Sequence, residues 1–258
     1  MLNAELQLLC IWLKSNKLSL NVEKTFYMVF HRAKIKYKEP LDLNMNQYVL
    51  ERTNSIKYLG VIIDNKLNWI EHIAYVKSKI SKGIGIMYKA RRCLNKKSLI
   101  NLYHSYIYPY LIYCIEIWGA ASQCHLNPIY LLQKKIIRII TFSEYLAHTA
   151  PIFIDLQILP LDKLFLDRVG IMMYKYNNGL LPDVMNTLYR RNHDVHSYNT
   201  RNNNHLRIAA GSRSFSNVSA RVWNSLISNI NIDVSLTIFK RNIKIYLLYN
   251  SLVLGYSR

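Results

Sequence analysis

Leu2, Leu6, Leu9 and Leu13 recur every three or four residues, with Glu5 and Lys14 off that line, so residues 2–14 predict an amphipathic helix. Ser15-Asn16-Lys17 breaks it. Residues 18–21 and 25–30 then read as short strands, and residues 37–49 are polar and alternating, as a loop or a hairpin would be. Residues 56–64 are a β-branched and aromatic run closed by Asp64-Asn65, which predicts a strand ending in a turn.

The period then changes. Ile70, Ile73, Val76, Ile80, Ile84 and Met87 mark one face of a long helix. Asn95 is placed to cap the next helix, which Pro109 should end or kink, and Pro128 fits the first turn of another. In that helix Ile129, Leu132, Ile136 and Ile140 form the apolar stripe, with Lys134, Lys135 and Arg138 elsewhere. A composition shift at residues 147–159 suggests a boundary. Residues 161–176 are amphipathic and stop at Asn178-Gly179. Residues 182–191 read as a short helix, 193–217 as polar loop, and 218–227 and 235–249 as closing helices, the last with Ser235 as cap and Leu236, Phe239, Ile243 and Leu247 as stripe. The pattern is thus α+β up to residue 68 and mostly helical after it.

Charge sharpens the picture. The 258 residues carry 34 Lys+Arg against 15 Asp+Glu, a formal net charge of +19, which favours polyanions: nucleic acid first, an anionic membrane surface second. The long helix concentrates that charge. Lys77, Lys79, Lys82, Lys89, Arg91 and Arg92, then Lys96 and Lys97, lie in a stretch without an acid from Glu71 to Glu116. A membrane span is tested by residues 99–118, which are largely apolar but interrupted by Asn101, His104, Pro109 and Glu116, so they read as buried core. Cys10, Cys93, Cys114 and Cys124 form no C-x-x-C and predict neither zinc nor disulfides; the expectation is reduced thiols in an intracellular protein of nucleus or cytoplasm. His193, His196 and His205 lack the further ligands a zinc site needs. Residues 1–13 have no basic start and carry Glu5, unlike a signal peptide.

Four ordered blocks carry a resemblance. Trp12-Leu13-Lys14-Ser15-Asn16-Lys17-Leu18-Ser19-Leu20-Asn21-Val22-Glu23-Lys24-Thr25 resembles the stretch after the catalytic loop of jockey-like non-LTR retrotransposon reverse transcriptases. Lys57-Tyr58-Leu59-Gly60-Val61-Ile62-Ile63-Asp64, with Leu67, Trp69 and His72, is similar to the family's primer-grip hairpin and the start of its thumb. Leu102-Tyr103, Pro109-Tyr110-Leu111, Tyr113, Trp118-Gly119 and Leu132-Gln133-Lys134-Lys135-Ile136-Ile137-Arg138 resemble the thumb. Tyr198-Asn199-Thr200-Arg201, Leu206-Arg207, Trp223-Asn224-Ser225-Leu226 and Phe239-Lys240 resemble the C-terminal region.

The resemblance implies a predominantly α-helical α+β fold: a partial palm sheet over residues 1–68, a helical thumb-like domain over 69–148, and a C-terminal helical region over 149–258 with an Arg-containing loop at 193–217. It implies RNA and DNA, a template-primer duplex, as partners, and no membrane. Nucleotide addition requires carboxylates holding metal ions, and the family's adjacent aspartate pair has no counterpart in this sequence. The expectation is a fragment that lacks the fingers and the catalytic half of the palm, binds template-primer and does not polymerise alone. Magnesium is then expected only in the full-length parent enzyme, and the missing fingers–palm segment becomes a partner. The alternative is a non-catalytic, basic nucleic-acid-binding remnant.

Within that frame, Lys24 is either the general acid that protonates pyrophosphate or a solvated lysine, and Asn21 is read as shaping the turn. Tyr58, Leu59 and Gly60 position the primer end, or Gly60 marks a bulge in a strand. Lys77, Lys79, Lys82, Lys89, Arg91 and Arg92 track duplex phosphates, or form an exposed basic face. Lys134, Lys135, Arg138 and Arg201 join the nucleic-acid contacts. Arg201, Arg207, Arg213 and Arg221 dot an RNA-contacting segment or an ordinary polar loop. Trp69, Trp118 and Trp223 read as core.

Overall fold

The first leucine pattern forms helix α1, Leu2–Ser15, in the computed structural model, which describes residues 2–31, 41–45, 48–195, 205–209 and 214–250. Its packing line runs through Leu6, Cys10 and Leu13, which close on Leu20, Tyr27, Leu43, Met45 and Leu50. Leu2 and Leu9 are exposed instead, with Leu8, Ile11 and Trp12. Cys10 is a small apolar residue that a count of leucines passes over, and it rotates the buried stripe. The helix stops where Ser15-Asn16-Lys17 predicts. Lys17 has φ 56°. Its N–H donates to the Lys14 carbonyl at 3.0 Å, and the Leu18 N–H donates to the Leu13 carbonyl at 2.9 Å, the bond pair of a Schellman stop.

Three small sheets follow. β1, Phe26–Tyr27, pairs in parallel with β4, Glu51–Arg52; β2, Asn44–Met45, pairs antiparallel with β3, Tyr48–Val49. Residues 18–21, expected as a strand, are irregular, and Val22–Lys24 form a single 3-10 turn. The run at 56–64 is not one strand. It folds back on itself as β5, Ser55–Tyr58, and β6, Val61–Asp64, with Tyr58 directly opposite Val61. Leu59 and Gly60 take φ 45° and 88°, the two positive values of a type I′ turn, so Gly60 closes a hairpin rather than a bulge.

Contacts divide the chain into two compact units, residues 1–72 and 73–258. The second is helical: α2, Ile70–Ala90, most of whose length it holds; α3, Lys96–Tyr106; α4, Tyr108–Ile112; α5, Ile115–Trp118; α6, Gln123–Ile140; α7, Thr149–Asp155; α8, Leu161–Asn177; α9, Phe215–Ile227; and α10, Leu236–Tyr249. The fold is therefore α+β and predominantly helical. The α2 stripe buries as its period predicts, except Ile70, which is exposed. Asn95 and Ser235 cap α3 and α10 by accepting from the backbone N–H of Ser98 and Ile238. Pro128 is not in the first turn of its helix: α6 begins five residues earlier, after Ser122. The apolar run at 99–118 becomes three short helices sharing one seam. Leu99, Tyr103, Ile107, Leu111, Ile115 and Trp118 are each 0% exposed. Among the described residues no helix is long and apolar enough to cross a membrane.

Helix α8 lies at the centre of this unit, packing on α4, α5, α6, α9 and α10, while α6 also packs on α7. Gly170 lets α8 come close to two neighbours: a Cβ there would overlap Ile243 and sit 2.7 Å from Leu226. Next to these apolar contacts α8 buries a carboxyl. Burial first, then Glu116, pushes Asp167 up to about 6, against the pull of Arg168, Lys244 and Lys240. A raised carboxyl means that the folded chain holds a proton the unfolded chain releases near pH 4, so stability falls as pH rises from about 4 to about 6. Asp167→Asn should flatten that dependence and raise the unfolding free energy at neutral pH by about 2 kcal/mol. A urea midpoint at neutral pH that does not rise would contradict it.

Candidate nucleic-acid interface

The first unit presents Lys24 and the hairpin tip. Lys24 is exposed at the end of the 3-10 turn. The Asn21 carbonyl anchors that turn, accepting from the Lys24 N–H at 3.2 Å and the Thr25 hydroxyl at 2.7 Å. Asn21 thus shapes the turn through its backbone. At the hairpin, Tyr58 is 61% and Leu59 74% exposed, so two large apolar side chains stand in solvent on a turn whose backbone is fixed by positive φ.

What fixes this hairpin at its other end is Asp64. Its Oδ1 accepts from the backbone N–H of Lys66 (3.0 Å) and Asn68 (3.2 Å), and its Oδ2 accepts from Asn68 (3.0 Å) and Trp69 (2.9 Å). The carboxylate replaces the missing backbone acceptors of a loop in which Leu67 and Trp69 have φ 52° and 65°. Next along, the buried His72 accepts the Ile62 N–H on Nδ1 at 3.3 Å. Burial holds its imidazole below the ordinary histidine range, which favours the neutral ring that accepting requires. Asp64, Leu67, Trp69 and His72 are thus residues of one structural joint, and the sequence spacing alone did not reveal it.

The cations of the second unit divide by environment. Lys77, Lys82, Lys89 and Arg92 are exposed, and so is Lys135. At 100° per residue, Lys82 and Lys89 share one line on α2, with Gly85 beside it, whereas Lys77 and Lys79 fall at opposite edges of the solvent face. Lys79 lies over the Tyr75 ring at 5.4 Å, Arg91 over Phe142 at 5.0 Å and Lys134 over Tyr130 at 4.4 Å. These rings hold the charges in place without neutralising them. Arg138 is anchored at one atom: its Nε donates to the Ala147 carbonyl at 2.9 Å. Lys96 pairs with Asp155 at 2.8 Å. Arg201 lies outside the described residues, as do Arg213 and His196. Trp118 and Trp223 are buried, and the Trp118 indole donates to the Tyr113 carbonyl at 2.9 Å.

Two asparagines to which the sequence reading gave no role organise the tail. The Asn224 amide brackets Leu206, accepting its N–H at 2.9 Å and donating to its carbonyl at 2.8 Å. The Asn217 amide brackets Ala209 in the same way, at 3.0 and 3.2 Å. Both sit on α9, seven residues apart and so on one face. That spacing was the available signal. Among the described residues, no group of three or more His, Cys, Asp or Glu gathers as a metal site would.

Comparison with known proteins bears out the resemblance. The chain is 28% identical over 173 residues to the RNA-directed DNA polymerase from mobile element jockey of Drosophila funebris, covering 66% of this chain and 18% of that protein. The jockey polymerase of Drosophila melanogaster is 29% identical over 150 residues, 57% of this chain and 16% of its own length. The probable RNA-directed DNA polymerase from transposon X-element of Drosophila melanogaster is 25% identical over 150 residues, again 57% and 16%. The chain thus spans less than a fifth of the curated relatives it matches. No protein-family profile matches, and no solved structure does.

Proposed function

We propose that this chain is the part of a non-LTR retrotransposon reverse transcriptase that grips the template-primer duplex. The similarity to jockey-type polymerases carries this reading. The exposed cations of α2 support it, since phosphate contacts position a duplex without reading its sequence. In this reading residues 1–68 are palm-derived, 69–148 thumb-like and 149–258 the C-terminal region. Tyr58 and Leu59 press on the primer end, and Lys77, Lys82, Lys89, Arg92 and Lys135 follow the phosphates.

Such binding is salt-dependent. Fluorescence anisotropy with an RNA–DNA hybrid across a KCl series should give a log–log slope of about −4 to −5, at about 0.9 per neutralised phosphate. Lys77→Gln/Lys82→Gln/Lys89→Gln should reduce its magnitude by about 3. A flat salt response of the unmodified chain would end the reading.

Neither buried carboxylate among the described residues, Asp64 or Asp167, suits the magnesium ions that nucleotide addition uses. Both oxygens of Asp64 take backbone N–H groups, and Asp167 is buried and pushed up to about 6. The reading therefore assigns metal binding to a fingers–palm segment and no polymerisation to this chain alone. Lys24, exposed on its turn, would supply the proton to pyrophosphate. The second reading, a basic nucleic-acid-binding protein without enzymology, is separated by one assay. Primer extension restored by a fingers–palm segment in trans, and lost in Lys24→Gln, supports the polymerase role; extension by the chain alone refutes the inactivity.

A further inference from the structure

The tail holds a second cationic feature, away from α2 in sequence and built differently. Residues 190–192 and 205–207 run antiparallel. Arg191 bridges Leu206, the Arg207 N–H donates to the Arg190 carbonyl at 2.8 Å, and the Asn192 N–H donates to the His205 carbonyl at 3.0 Å. This register sets Arg190 directly across from Arg207. Alternation sends the other pair inward: Leu206 is 2% exposed, and the Arg191 Nη2 donates to Asn177 Oδ1 at 2.9 Å. Arg190 and Arg207 are both exposed. Like charges opposite each other on one face repel, and this register keeps them together.

The register is not free to slip. The Asn224 amide locks Leu206 and the Asn217 amide locks Ala209, so the segment carrying Arg207 is fixed to α9 at two points. On the Arg207 side no Asp or Glu occurs between Asp194 and Asp233, and Asp194 itself is taken up by the Arg191 N–H at 2.8 Å and by His193 Nε2 at 3.0 Å. Two arginines on facing positions of one ladder, each with a planar fork of donors, suit the oxygens of a phosphodiester.

We propose that Arg190 and Arg207 form a backbone-phosphate clamp for single-stranded nucleic acid, separate from the α2 contacts. The choice of nucleic acid as the anion rests on the polymerase reading; the clamp itself rests on the register. Placed in the C-terminal region, it would hold strand that leaves or approaches the gripped duplex.

The test is the salt dependence of the full chain binding a short fluorescein-labelled oligothymidine. Arg190→Gln/Arg207→Gln should lower the magnitude of the log–log slope by about 1.4, at about 0.7 per single-strand phosphate. Arg190→Lys/Arg207→Lys keeps both charges and should keep the slope, which separates a lost contact from a disturbed fold. If the Gln pair leaves the slope unchanged while Lys77→Gln/Lys82→Gln/Lys89→Gln lowers it, the clamp is refuted and the polymerase reading stands. If the unmodified chain shows no salt-dependent binding, both fall. If poly-glutamate displaces the probe as well as inorganic polyphosphate does, the pair serves an acidic protein segment and the proposal is overturned.

Discussion

Asp64→Ala should lower the unfolding free energy by about 3–4 kcal/mol. Three backbone N–H groups, of Lys66, Asn68 and Trp69, converge on this one carboxylate, which is only 6% exposed. Each bond to a charged acceptor contributes about 1.5–3 kcal/mol, and the sum is less than additive because the donors share one group. Alanine would leave those donors in a part-buried loop where no other acceptor takes over. The positive φ values at Leu67 and Trp69 would then lose the bonds that sustain them. Asp64→Asn keeps one good acceptor oxygen and should lose about half as much. Urea denaturation of the two variants gives the ordering; an alanine variant within about 1 kcal/mol of the parent would show that the loop holds without its carboxylate.

Gly119→Ala should cost about 3 kcal/mol. A Cβ at Gly119 would lie 2.5 Å from the Phe165 ring and 2.6 Å from the Ile115 carbonyl oxygen. The ring is a buried part of α8 and the carbonyl is backbone, so neither can move aside without shifting α5 against α8. Gly85 is the control. It is exposed on α2 with nothing within 4 Å of its Cβ position, so Gly85→Ala should stabilise by about 0.5–1 kcal/mol through helix propensity alone. Thermal melts of the two variants should move in opposite directions. A Gly119→Ala melt equal to that of the parent would mean that the α5–α8 contact is softer than these distances require.

Periodicity made the helices legible. The α2 stripe, the caps at Asn95 and Ser235 and the stop at Asn178-Gly179 are local patterns whose chemistry lies within a few residues. The hairpin was named by the family resemblance but was harder to read from the residue pattern. Residues 56–64 are rich in β-branched and aromatic side chains on both sides of the turn, so the run reads as continuous, and only Gly60 marks the reversal. The ends of α6 and α7 were obscured for a different reason. Helices α1, α6, α7 and α8 all stop with the same backbone bond pair, at Lys17, Phe142, Gln157 and Gly179. Only the last supplies the glycine that residue-type reasoning looks for. In the candidate interface, charge located α2 but could not show which cations stay free. Arg138 looks like its neighbours in sequence, yet its Nε is anchored on the Ala147 carbonyl. Asn217 read as the end of a polar loop and Asn224 as an ordinary helix residue, because their partners, Ala209 and Leu206, belong to a segment without periodicity.

The seam from Leu99 to Trp118 crosses two helix breaks without losing phase. Each break therefore acts as a calibrated spacer. Removing one residue there would turn every following side chain by about 100° and send the next aliphatic anchor towards water. At the first corner Ile107 is itself a buried member of the seam, so there the letter is held as well as the number. Evolution of this segment should tolerate replacement far more readily than insertion or deletion.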